Sequence, residues 1–145
     1  MDNPSDERKE IKDLIAKIRA AREETLASLT GVNEADFSVS TSMERWTDVR
    51  RVLLRFGEHM REHANQIEHT RDLIGATPTM PQRMLQEAER AYGQLLASLL
   101  DLSDDQLNQV PLDGGWSIRQ VLEHALHGEK NYRAVIEAAF QAAKK

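Results

Sequence analysis

The sequence predicts an all-α fold, a four-helix bundle with two long inter-helix connections, and three observations predict it. Four segments of about 25 residues carry apolar side chains at helical spacing, each about 36 Å long at a rise of 1.5 Å per residue. Glycines and prolines, seven and four in 145 residues, are few, and they gather at Gly75 to Pro81 and Pro111 to Gly115, where they punctuate long helices. No segment alternates with the period of a strand. Four amphipathic helices bury their stripes most economically against one another, as a bundle.

The first segment runs from about Ser5, a helix-capping residue type, to Leu29, with Ile11, Leu14, Ile15, Ile18, Leu26 and Leu29 along one face. The second is expected to start at a Thr47 cap. It carries Val49, Val52, Leu53, Phe56, Met60, Ile67 and Ile74, and Gly75 ends it. The third begins near Pro81, a residue suited to a first helical turn, and shows Met84, Leu85, Ala88, Tyr92, Leu95, Leu96 and Leu99. Ser117 opens the fourth. Gln120 stands at capping-box distance from it, Trp116 is placed to staple onto Val121, and the stripe continues through Leu122, Ala125, Tyr132, Val135, Ile136 and Ala139. The link from Gly75 to Thr79 is too short to return along a helix, so the second and third helices are expected to be antiparallel neighbours. The links from Thr30 to Arg45 and from Asp101 to Gly115 are long enough to travel the bundle at about 3.3 Å per residue.

The length suits a single domain spanning residues 1–145. Its composition is 40% hydrophobic and 30% charged, a globular balance, and its apolar runs are too short to cross a bilayer. With 24 acidic against 19 basic residues the net charge is −5. No cluster of Lys or Arg is dense enough to follow a phosphate backbone, so neither nucleic acid nor membrane is expected as a partner. The amino terminus is polar and acidic, without the basic and apolar regions of an export signal, and a cytoplasmic location is expected. Cysteine is absent. That excludes disulfides, a thiolate nucleophile, iron–sulfur clusters and cysteine-ligated zinc.

The two long links lead into similar stretches. Trp46-Thr47 followed by Val49-Arg50-Arg51-Val52-Leu53 echoes Trp116-Ser117 followed by Ile118-Arg119-Gln120-Val121-Leu122, with one residue inserted in the first copy. Each half reads helix, long loop, Trp, cap, helix, either a duplication or two independent solutions to starting a helix after a long loop.

Chemistry rests on the five histidines. His59 and His63 are four apart, so their imidazoles project from one face of the second helix one turn apart, the spacing at which a helix offers two nitrogen ligands to a metal. Phe56, Met60 and Ile67 share that side, which turns His63 towards the bundle interior and His59 to its edge. His124, one turn beyond Val121 on the fourth helix, is the candidate third ligand. Three histidines leave a coordination position open for water or substrate, as in a catalytic site, and zinc and nickel, among other divalent transition metals, suit imidazole ligands. The competing account takes the histidines as ordinary polar residues of the core or its edge. His69 and His127 are expected on the surface. Glu129 occupies the Leu122, Ala125, Tyr132 stripe, where an acid must be paired or solvated; it is a candidate base or a second-shell support for an imidazole, and Gln66 is weighed in the same way.

The stretch Gly115-Trp116-Ser117-Ile118-Arg119-Gln120-Val121-Leu122-Glu123-His124 resembles the second-helix motif of the DinB/YfiT-like superfamily, and His59-Met60-Arg61-Glu62-His63-Ala64-Asn65-Gln66-Ile67 resembles its last-helix motif. The resemblance implies a four-helix bundle that binds a divalent metal through one histidine of the former motif and two of the latter, here His124, His59 and His63. The two halves stand in exchanged order relative to the usual family arrangement. Aligned in the usual order, Trp46 takes the first motif, Leu54 or Arg55 falls where the histidine belongs, and the triad disappears. Several family members are similar to metal-dependent S-transferases that use a low-molecular-weight thiol such as bacillithiol, mycothiol or glutathione, and others to hydrolases. The resemblance therefore implies a small-molecule substrate, with any thiol arriving as substrate, since the chain has none of its own. Against it stands a non-catalytic helical protein, a homodimer burying part of one helix face, without metal.

Overall fold

The computed structural model describes residues 7–145. The chain is all-α, with four long helices where the periodicity places them and a fifth, short one. Helix α1 is Lys9–Leu29, α2 Val49–Leu73, α3 Met80–Ser98, α4 Asp104–Asn108 and α5 Ile118–Ala143. Among the described residues there is no strand, only an isolated bridge between Ser40 and Asp48. No helix is long and apolar enough to cross a membrane. The described residues up to Leu85 form one compact unit and Gln86–Lys145 a second.

The expected cap Ser5 lies outside the described residues. Helix α1 starts after Arg8, which makes no side-chain capping bond. The cap of α2 differs from expectation: Asp48, not Thr47, accepts from the Arg51 amide at 2.9 Å. The long link supplies the other acceptors. Amides of Val49 and Arg50 donate to the carbonyls of Val39 and Phe37 at 3.0 and 3.3 Å, and Thr41 Oγ1 donates to the Trp46 carbonyl at 2.6 Å. All three first-turn donors of α2 are thereby satisfied, which explains why a link rich in polar residues still takes a fixed path, including a 3-10 turn at Glu34–Asp36. Thr47 keeps a smaller part, accepting from Arg51 Nη1 at 2.6 Å.

The second long link is built in the same way. Ser103 and Gln106 form a capping box around α4, and Ser117 and Gln120 form another at α5. Arg119 Nε donates to Asn108 Oδ1 at 2.6 Å, tying α4 to α5. Neither link is structureless.

Within each unit the side chains that leave solvent lie around these links. In the first unit Leu26, Leu29, Phe37, Trp46, Val52 and Phe56 are half-buried; in the second, Leu95, Leu99, Leu102, Leu107, Ile118 and Leu122. The remainder of the expected core stripes is exposed, with Ile67 at 62% and Tyr132 at 69% accessible. Among the described residues no hydrophobic side chain is buried. The physical reason lies inside each unit: among the described residues the helices meet closely only where α4 packs on α5, so no neighbouring layer covers the long stripes.

Left-handed backbone follows two of the long helices. Gly75, at φ +74°, follows the end of α2, where the Ala76 amide and Arg71 Nε both close the turn on carbonyls at 2.8 and 3.0 Å. Asp101, after α3, adopts φ +62° without being glycine. An L side chain is strained there, Asp less than most. Asp101→Gly is therefore expected to raise the stability of the protein by about 0.5–1 kcal/mol. A urea midpoint that is unchanged or lower would show that the Asp101 side chain is compensating for its backbone.

Candidate metal centre

Helix α2 has a regular backbone from Val49 to Leu73, and that regularity is what brings His59 and His63 together. Their rings meet edge to face with centroids 4.3 Å apart. Both side chains are exposed, whereas the sequence places His63 towards an interior; with the stripe open on this side, solvent reaches it. Each Nδ1 has one protein partner. His63 Nδ1 lies 2.9 Å from Gln66 Oε1, and His59 Nδ1 lies 3.3 Å from Arg55 Nη2.

Arg55 is the most connected side chain in this neighbourhood. It donates through both terminal nitrogens to the two carboxylate oxygens of Glu62, each at 2.7 Å, while its guanidinium carbon stands 4.9 Å from the centroid of the Trp46 ring. The hydrogen bond to Arg55, reinforced by the charges of Arg55, His59 and His63, holds the Glu62 carboxyl below the usual glutamate range. The Arg55 guanidinium is correspondingly raised by Glu62. At neutral pH this clamp is closed; protonation opens it only as pH falls below the ordinary range of a glutamate. Solvent reaches the pair, so its contribution to stability is small. Its consequence is positional, because it fixes the guanidinium beside His59.

An apolar cleft of about 330 Å³ lies along the same face, lined by Met43, Trp46, Phe56 and Met60, with Arg55 and His59 among its walls.

His124 lies two turns into α5, in the second unit. The capping box at Ser117 sets the start of that helix, and Trp116 packs edge-on against the His124 ring with centroids 5.1 Å apart. Trp116 was expected to staple onto Val121; its aromatic partner is His124, and 57% of it stays accessible. Pairing the caps Asp48 and Ser117 accounts for the inserted residue, and it then aligns Arg55 with His124. Each tryptophan in the echoed stretches thus packs against the residue at one matched position, a guanidinium in the first copy and an imidazole in the second.

Glu129 is exposed on the wall of a second cleft, about 630 Å³, formed within the second unit by Tyr92 and Leu95 of α3 and Leu122, Ala125 and Leu126 of α5. Solvent contact removes the cost that a buried acid would carry there. His69 and His127 are exposed, as expected.

The structure thus pairs His59 with His63 and supplies Gln66 and Arg55 as their partners. In the sequence Arg55 stands out only as a misfit of the alternative alignment; its spacing of four from His59 and seven from Glu62 is the available signal. Among the described residues no group of three or more His, Asp or Glu side chains is gathered closely enough to hold a metal ion. The donors on α2 have suitable chemistry for a divalent transition metal: two imidazoles on one face, one turn apart, one of them with its Nδ1 against an amide oxygen, the kind of partner that commonly orients a ligating histidine.

Residues 87–144, which include α4, α5 and most of α3, match the DinB superfamily. Neither a curated protein nor a solved structure matches the chain.

Proposed function

Since residues 87–144 match the DinB superfamily, we propose that the chain binds one divalent transition metal through His59, His63 and His124 and uses it to activate a small-molecule thiol for transfer to an electrophile. The observation that carries this reading is the His59–His63 pair, 4.3 Å between ring centroids, with Gln66 Oε1 on Nδ1 of His63. His124 joins the set through the family resemblance of the stretch that Trp116 opens.

Bound there, a metal lowers the pKa of a coordinated thiol or water. The chain's own residues have the remaining tasks. The imidazoles would hold the cation, and Gln66 orients one of them. The apolar cleft beside His59 accepts the uncharged body of an electrophile. In the transfer the thiol gives up its proton to solvent water, its sulfur forms the new bond to the electrophilic carbon, and the leaving group departs with the bonding pair. Without a cysteine of its own the protein forms no covalent intermediate through sulfur.

Protein purified without an affinity tag is expected to carry close to one transition metal per chain by elemental analysis. Loaded with zinc or nickel, it is expected to accelerate the conjugation of a small electrophile with bacillithiol, mycothiol or glutathione. Metal binding without acceleration by any of the three would replace transfer with hydrolysis as the reaction to test. An empty protein that also takes up no added metal would end the metal reading.

A further inference from the structure

We infer that Gln66 and Arg55 are opposed positioning residues, Gln66 preparing His63 to bind a metal through Nε2 and Arg55 holding His59 back. With the Gln66 amide oxygen facing the ring, the sense of each hydrogen bond follows. The amide oxygen of Gln66 has no proton to give, so the bond of 2.9 Å requires His63 to donate from Nδ1. In the neutral ring the proton is then on Nδ1, and the Nε2 lone pair is free. A guanidinium has no lone pair to offer, so at His59 the sense is reversed: Arg55 Nη2 donates and Nδ1 accepts, at 3.3 Å. The neutral His59 ring then carries its proton on Nε2. Its one lone pair is the one that Arg55 occupies.

A metal can therefore take His63 without rearrangement, whereas it takes His59 only when Arg55 leaves Nδ1 or the ring exchanges its proton. Arg55 is not loose: the fork to Glu62 at 2.7 Å twice and the Trp46 ring at 4.9 Å hold it in place. The helix offers one prepared ligand and one guarded ligand. The consequence for affinity rests on the proposed metal site; the tautomer assignment stands on α2 alone.

The test begins with metal-free protein, by ¹⁵N-resolved NMR of the imidazoles at a pH where both rings are neutral. His63 is expected in the Nδ1–H form and His59 in the Nε2–H form, and Gln66→Leu is expected to release His63 towards the Nε2–H form that free histidine favours. Zinc affinity is then measured against a competing chelator. Gln66→Leu is expected to weaken binding about tenfold or more, the range seen when a ligating histidine loses its hydrogen-bond partner. Gln66→Glu, which keeps an acceptor oxygen, is expected to restore most of the loss. Arg55→Met is expected to tighten binding several-fold, and Glu62→Gln, which loosens the clamp without touching the arginine, to tighten it less. Wild-type His63 protonated at Nε2, or weaker zinc binding in both Arg55→Met and Glu62→Gln, would overturn the inference. If no variant binds zinc, the metal site fails, and the NMR measurement still decides the tautomers.

Discussion

His63→Ala is expected to abolish stoichiometric metal binding, with affinity falling at least 100-fold, while the helical circular dichroism of the protein stays unchanged. The asymmetry follows from position. His63 is exposed and its imidazole meets the His59 ring and Gln66 at the surface, so its removal leaves no cavity and no unsatisfied buried group. Stability should shift by no more than about 0.5 kcal/mol, as for other surface changes. A metal site feels the same change fully, because a neutral imidazole is one of its covalent donors. His124→Ala should produce a comparable loss of metal if the third ligand is assigned correctly, and His127→Ala, three residues further along the same helix, should not. Full occupancy in His63→Ala protein would remove the triad. Occupancy lost in His63→Ala but kept in His124→Ala would leave the α2 pair as ligands and transfer the third position to another residue.

Ser117→Ala is expected to lower stability by about 1–2 kcal/mol, a large effect for one hydroxyl. Ser117 is the one buried polar residue among those described, 8% accessible. Its Oγ accepts the Gln120 amide at 3.3 Å, and the Gln120 side chain accepts the Ser117 amide at 2.9 Å. Removing the hydroxyl leaves the Gln120 amide without its cap at a place water reaches poorly. Ser117→Asp should retain most of the stability, since a carboxylate caps as well and is favoured by the helix dipole. The measurement is the urea midpoint at constant slope, with Arg8→Ala as the contrasting case, because Arg8 caps α1 without any side-chain bond. Equal midpoints for Ser117→Ala and wild type would mean that the link, through Asn108 and Arg119, already fixes the start of α5.

These predictions rest on features of unequal visibility. The apolar spacing along α2 and α5, Gly75 past the end of α2 and the Ser117–Gln120 box are local, and local rules read them directly. Asp48 as the cap of α2 was not legible, since Thr47 and Asp48 are both good capping residues and only the path of the preceding link, with Val39 and Phe37 presenting carbonyls to Val49 and Arg50, decides between them. The short helix α4 was missed for a related reason. Five residues give too little periodicity to stand out, and its stability comes from its own capping box and from the Arg119–Asn108 bond eleven residues away.

The candidate site divides along the same line. The four-residue interval makes His59 and His63 neighbours in any α-helix, so the sequence by itself determined that pair, just as it determined an all-helical chain, the echoed Trp motifs and the absence of a thiol. Which nitrogen each ring has free was decided only by the tertiary structure. Gln66 and Arg55 lie on the same helix at permitted spacings, but so does Glu62, three residues after His59, and side-chain hydrogen bonds depend on rotamers that spacing does not select. Arg55 faces His59 because Glu62 and the Trp46 ring hold its guanidinium, and Trp46 reaches it from a link whose course the sequence leaves open.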